Sequence, residues 1–336
     1  MLENRQNQGL MVLAITFSLL GCEATPTTTQ QTKPVDSAAS IATANPATAA
    51  SEVPLVVATN TILCDLTKQI AATTVNLQCL IQPGSDPHVY QAKPGDRKAI
   101  EQAKLILYGG YDFEPELIKL IKATSNPATK VAVNELAVPN PQKFAEDGKT
   151  VTDPHVWHNA QNGVAIAKVI GDSLSKLKPE NANLYSENTQ KVTNEISKID
   201  TWIKSEVATI PPKNRKLVTT HDALGYYAQA YGIPVEQALG GISTEAAPTA
   251  ARVSALVKDI QKTGVPTIFA EVTNDAKLIT AVAKNANVKV SDRELYADSL
   301  GEAGSDADTY QKMLIANTQS IVEGLGGKYT PFGTSN

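Results

Sequence analysis

The sequence predicts an α/β protein of two related lobes, each a parallel sheet flanked by helices, joined by a single long helix. Three observations carry this. From residue 55 onward, short apolar runs alternate with longer amphipathic stretches, the pattern of strand–helix units that build parallel sheets. That pattern recurs at large scale: LVVATNTILCDLTKQI (55–70) is matched by KLVTTHDALGYYAQAYG (216–232), and KLILYGGYDFEPELIKLI (104–121) by PTIFAEVTNDAKLITAV (266–282). Between the halves, Val192, Ile196, Ile199, Ile203 and Val207 keep the i, i+3, i+4 spacing of one helical face.

Taken from the N-terminus, the first segment is unlike the rest. Residues 10–20 (LMVLAITFSLL) form an apolar run of signal-peptide length, too short to span a bilayer. It runs into Leu19-Leu20-Gly21-Cys22, which resembles a bacterial lipobox and marks Cys22 as the residue acylated after cleavage of segment 1–22. Residues 23–53 are rich in Thr, Ala, Ser and Pro and hold almost no large apolar side chain. Such a stretch buries too little surface to offset its ordering entropy and reads as a tether between anchor and globular part.

The first lobe is expected over 54–178, with strands at 55–59, 77–81, 105–108 and 131–133 and helices at 65–72, 94–103 and 114–123. Pro179 opens and Pro211-Pro212 closes the linking helix, assigned to 179–212. About 28 helical residues would span ~42 Å, a strut with few partner helices of its own. The second lobe follows over 213–330, with strands at 217–220, 267–270 and 288–290 and helices at 250–263 and 276–285. Composition agrees: 42% apolar and 19% charged residues describe an ordinary globular protein. A net charge of −4 without a basic stripe argues against a nucleic-acid partner.

The remaining cysteines, Cys64 and Cys79, fall beside the same expected sheet rim. In an oxidising compartment a disulfide between them is expected, the alternative being two separate buried thiols.

The chemistry sits in the histidines. The chain has only four, and two stand in near-copies of one pentapeptide, DPHVY at 86–90 and DPHVW at 153–157. Histidine is the commonest protein ligand for transition metals, and the preceding proline stiffens the backbone that presents it. In open α/β sheets, sites collect at the carboxyl ends of strands. His88 follows the strand at 77–81, His155 lies in the loop after 131–133, and His221 follows 217–220 directly. Asp298 comes after 288–290 as one acidic residue in an acidic stretch. These positions divide equally between the lobes, which places the expected site in the cleft between them. His158 has no partner motif and reads as structural. Glu271, at the end of FAE, is a ligand, a cleft-lining residue or a helix cap, the last two being preferred. Asp86, Asp153 and Asp222 lie beside His88, His155 and His221 and are expected to orient their rings. Three imidazoles and a carboxylate suit Zn²⁺, or Mn²⁺ if the Asp binds through both oxygens.

In these residues the chain resembles the metal-binding solute receptors of zinc and manganese ABC importers, the ZnuA/TroA type. DPHVYQAKPGDRKAI, DPHVWHNAQNG, THDALGYYAQAYG, GISTEAAPTAARV, IFAE and LYADSLGEAG match its motifs in order over roughly residues 55–329. The resemblance implies that His88, His155, His221 and Asp298 bind the metal, with two lobes joined by one long helix. It implies an extracytoplasmic, lipid-anchored monomer that is not an enzyme and whose partners are the ion and an importer permease. His221 favours zinc, since manganese-selective members often carry Glu there. The stretch 137–152, where many zinc receptors have a His-rich loop, has no His and leaves manganese as the alternative. A zinc hydrolase with Glu271 as general base fits less well. Four ligands leave no position for a catalytic water, and HExxH and a nucleophile elbow are both missing. A surface adhesin would explain the anchor but none of the ligand placements.

Overall fold

Four parallel strands in the order β2-β1-β3-β4 build the first half. In chain order these elements are β1 (Leu55–Ala58), α1 (Thr61–Ala71), β2 (Asn76–Cys79), α2 (Pro94–Gln102), β3 (Leu105–Tyr108), α3 (Pro115–Ala123) and β4 (Thr129–Ala132). The computed structural model describes residues 53–146 and 149–334; the expected signal segment, Cys22 and nearly all of the tether lie outside them. Pleating sends alternate side chains to opposite faces. Val56, Ala58, Leu105 and Leu107 accordingly enter one core, while Val57 and Ile106 enter another. Asn60 ends β1 and caps α1, its Oδ1 accepting from Leu63 N–H (3.1 Å). The expected disulfide is present: Cys64 in α1 is bonded to Cys79 at the end of β2, with Cα atoms 5.7 Å apart.

The chain continues through α4 (Val133–Ala137), the antiparallel hairpin β5 (Lys143–Glu146) and β6 (Lys149–Thr152), α5 (Ala160–Leu177) and the long α6 (Ala182–Ala208). The hairpin falls where a loop was expected, because its strands are short and carry little apolar sequence. Helix α6 has 27 residues, close to expectation, preceded by a 3₁₀ turn at Pro179–Asn181.

Its surroundings differ from the lone strut that the sequence predicts. Val192, Ile196, Ile199, Ile203 and Val207 are buried in a core shared with α1, α5 and the final helix, α10 (below). Polar contacts follow the same lines: Asn188 Nδ2 donates to Ile70 O (3.0 Å) and Gln161 Nε2 to Asp200 Oδ2 (2.8 Å). A strand–helix parse underestimates such packing, because the apolar face of α5 belongs to the same layer as that of α6.

The second half holds β7 (Leu217–Thr219), α7 (Gly225–Tyr231), β8 (Val235–Ala238), α8 (Ala250–Thr263), β9 (Thr267–Ile268), α9 (Ala276–Ala286), β10 (Lys289–Val290) and α10 (Tyr310–Gly324). Strands β7 and β8 pair in parallel, as do β9 and β10, and Phe269 N–H donates to Val218 O (2.9 Å) to bring the pairs side by side. The resulting order, β8-β7-β9-β10, repeats that of the first half. The repeated sequence therefore corresponds to repeated topology. Strand β8 (VEQA) escaped the sequence reading because Glu236 and Gln237 interrupt its apolar run.

Candidate metal centre

The two DPH segments fold alike for a local reason. Asp86 Oδ1 accepts from the His88 backbone N–H (2.9 Å), and Asp153 Oδ1 accepts from that of His155 (2.9 Å). Each is an Asx turn around a proline with fixed φ and no N–H of its own. Beyond this shared bond the two carboxylates diverge. Asp86 Oδ2 takes the hydroxyl of Thr244 (2.6 Å), whereas Asp153 Oδ1 also takes the ring Nδ1–H of its own histidine (2.7 Å).

At the start of the second half, His221 follows β7 with its backbone pinned by a carboxylate one strand away. Glu271 Oε1 accepts from Thr220 N–H (3.0 Å) and His221 N–H (3.1 Å), and Oε2 from His221 Nδ1–H and Asn274 Nδ2 (3.0 Å). Glu271 is thus neither helix cap nor ligand; Asp275 caps α9. The ring partners expected from adjacency in sequence are right for Asp153 alone. Asp86 holds only its histidine's backbone, and the partner of the His221 ring is Glu271, not Asp222. The signal for Glu271 was its place just past β9, the strand beside β7, level with the His221 corner.

A carboxylate only accepts, so Nδ1 of His155 and of His221 carries the proton and Nε2 faces inward. The inward atoms converge. His88 Nε2 lies 3.1 Å from His155 Nε2, and Asp298 Oδ1 lies 3.2 Å from His155 Nε2, 3.3 Å from His221 Nε2 and 3.8 Å from His88 Nε2. One donor atom from each of the four residues lies within 4.8 Å of the others, and all four residues are buried. Asp298 Oδ2 is occupied by the Thr273 hydroxyl (3.2 Å), while among the described residues Asp298 Oδ1 and His221 Nε2 make no hydrogen bond of proper geometry.

That arrangement can be tested against a cation. Four donors at Zn–ligand distances of about 2.0–2.1 Å in a tetrahedron are separated by roughly 3.3 Å. Four of the six edges, at 3.1, 3.2, 3.3 and 3.8 Å, bracket that value, and all six lie within 4.8 Å. Buried polar atoms without partners are costly, and a shared metal ion would satisfy both orphans.

The electrostatics are those of a concentrated acid–imidazole cluster. Burial lowers His88 to about 3, Asp298 offsetting it only in part. For His155 burial pulls the same way, but Asp153 and Asp298 outweigh it and raise the ring to about 9. His221 is likewise raised well above the usual range by Asp298 and Glu271 against its burial. Asp298, despite burial, is held far below the ordinary carboxylate range by the surrounding imidazoles. The carboxylate is therefore ionised and available to a cation. Phe113 meets the rings of His88 and His155 edge-on (centroids 5.2 and 5.8 Å) and walls the site with an apolar side chain. His158 stands apart, its Nε2 within 2.8 Å of the Ala297 carbonyl.

Comparison with known proteins bears on this site. Residues 56–324 match the family model described as zinc-uptake complex component A, periplasmic. The manganese ABC transporter substrate-binding lipoprotein PsaA of Streptococcus mitis is 32% identical over 277 residues, covering 80% of this chain and 88% of that protein. The metal ABC transporter substrate-binding lipoprotein FimA of Streptococcus parasanguinis is 34% identical over the same length and coverage. Among solved structures, the periplasmic zinc-binding protein TroA from Treponema pallidum superposes with a TM-score of 0.77 at 32% identity, over 81% of this chain and 99% of that one.

Proposed function

This chain belongs to the ZnuA-like family of periplasmic metal-binding proteins, and on that premise we propose that it is a lipid-anchored receptor that captures one Zn²⁺ and passes it to the permease of an ABC importer. The observation that carries the reading is the convergence of His88, His155, His221 and Asp298 on one buried point. Each half of the fold supplies two of the four, so the metal closes the cleft between lobes at 54–178 and 213–330.

Zinc is preferred to manganese on the chemistry of the donors. Manganese favours more oxygen ligands and a carboxylate that binds through both oxygens. Here the Thr273 hydroxyl donates to Asp298 Oδ2 (3.2 Å), which favours binding through Oδ1 alone beside three nitrogens, a four-coordinate set. A hydrolytic role for Glu271 has no support in this geometry, since both its oxygens are committed to N–H donors. Delivery from the membrane surface would follow from acylation at Cys22, and a Cys22→Ala chain should lose its lipid label while still binding metal.

Competition titration of the purified, metal-stripped protein tests the reading. One Zn²⁺ per chain is expected, with Co²⁺ as a probe giving the intense visible bands of a tetrahedral site. Mn²⁺ binding within tenfold of zinc would overturn the choice of metal. No binding of either ion would overturn the receptor itself.

A further inference from the structure

Of the four converging residues, His88 is held differently. The rings of His155 and His221 are each fixed by a carboxylate on Nδ1, whereas among the described residues no group takes Nδ1 of His88. His88 is also the most accessible of the four, at 4% exposure against 0–1% for the others. It lines an open cavity of about 610 Å³ that Ile242, Ser243 and Glu245 from the second half also line. What fixes His88 is its backbone, through Asp86 Oδ1 (2.9 Å), and the other oxygen of that carboxylate is tied across the cleft to the Thr244 hydroxyl (2.6 Å). Elsewhere across the cleft, Gly84 N–H donates to Ser299 Oγ (3.0 Å) and Leu300 N–H to Thr61 Oγ1 (2.9 Å), two contacts that involve neither Asp86 nor Thr244.

We propose that Thr244 and Asp86 form a latch between the halves that holds His88 against the metal, making His88 the ligand that moves and the cavity above it the route of metal entry and exit. This rests on the receptor reading and extends it to release. Breaking the Thr244–Asp86 bond frees the 242–245 wall and lets the Asx turn relax. The unpinned imidazole then turns into the cavity, while His155, His221 and Asp298 keep their partners. Thr244 acts through Asp86 and is a positioning residue, not a ligand.

The test is a chelator chase from Zn²⁺-loaded wild-type protein and from Thr244→Val, which keeps the shape and removes the hydroxyl. A hydrogen bond to a charged group is worth enough that its loss should speed zinc release about tenfold. Thr244→Ser should restore the slow rate, and Asp86→Asn should release faster than wild type. Thermal midpoints of the metal-free proteins should agree between wild type and Thr244→Val, separating a latch from a general structural role. Equal release rates for wild type and Thr244→Val, or a Thr244→Ser variant as fast as Val, would overturn the latch alone. A wild-type protein that takes up no Zn²⁺ would overturn the receptor reading and the latch with it.

Discussion

Replacing Glu271 by Gln changes one atom and should disarm a residue it does not itself replace. The carboxylate accepts four N–H donors, from the Thr220 and His221 backbone on Oε1 and from the His221 ring and Asn274 on Oε2. Gln can keep the two backbone bonds only by placing its oxygen at the Oε1 position. Its amide NH₂ then faces His221 Nδ1, which must become an acceptor, and the imidazole proton moves to Nε2. That nitrogen is the one aimed at Asp298 Oδ1 3.3 Å away, and a protonated Nε2 has no lone pair for a metal. The opposite amide orientation leaves two buried backbone N–H groups unpaired, which is the costlier choice. Loss of a partner that orients a metal-binding histidine typically weakens affinity about 10–100-fold, or about 1.4–2.7 kcal/mol. Competition titration against a chromophoric zinc chelator near neutral pH would read this directly, with circular dichroism confirming an intact fold. An affinity within twofold of wild type would refute the assignment of Glu271 as the group that sets the His221 tautomer.

Other outcomes follow from the same geometry. Truncating a proposed ligand, as in His155→Ala, should reduce zinc affinity by at least about tenfold; unchanged affinity would remove His155 from the site. Affinity should also rise with pH between about 6 and 8, by about tenfold per unit for each proton displaced. Without a metal ion, His155 at about 9 and His221 well above its usual range both hold a second proton, which a metal must expel, so acid favours release. Titrations across that window that give one constant affinity would contradict this. Glu114 makes a separate prediction about stability. Burial raises its carboxyl from 4.5 to about 7, against hydrogen bonds from Thr59 and Gly109 N–H that pull it down. The folded state then holds a proton that the unfolded chain has lost, and stability falls as pH rises from about 4.5 to about 7, by about 3 kcal/mol at most. Thermal unfolding of Glu114→Gln should lose that part of the pH dependence; an unchanged profile would show that Glu114 is not its source.

Much of this protein was legible from local pattern. The apolar runs of β1 and β3, the proline-bounded span of α6 and the duplicated DPH frame all depend on neighbours a few residues apart, and each folds as its spacing requires. Internal repetition was legible too, because the same strand–corner–helix sequence yields the same order of strands in both halves. Four histidines in one chain, two of them in matching frames, were enough to single out a metal site.

The identity of each partner was another matter. Adjacency offered Asp222 for His221, but the fold chose Glu271, 50 residues away, because β9 lies beside β7 and the chain leaving β9 sets Glu271 level with the His221 corner. Asp86 looked like a mate for its own imidazole and instead reaches Thr244, 158 residues on. Helix α6, expected to stand alone, packs against α1, α5 and α10. The sequence by itself picked out the residues that converge in the fold and the rigid turns that present two of them, since those turns are set by short-range sterics and hydrogen bonding. Only the tertiary structure decided which carboxylate orients which ring and which ring, among the described residues, has none on Nδ1. Those choices depend on how strands far apart in the chain are brought side by side, and spacing along a single sequence does not encode that distance.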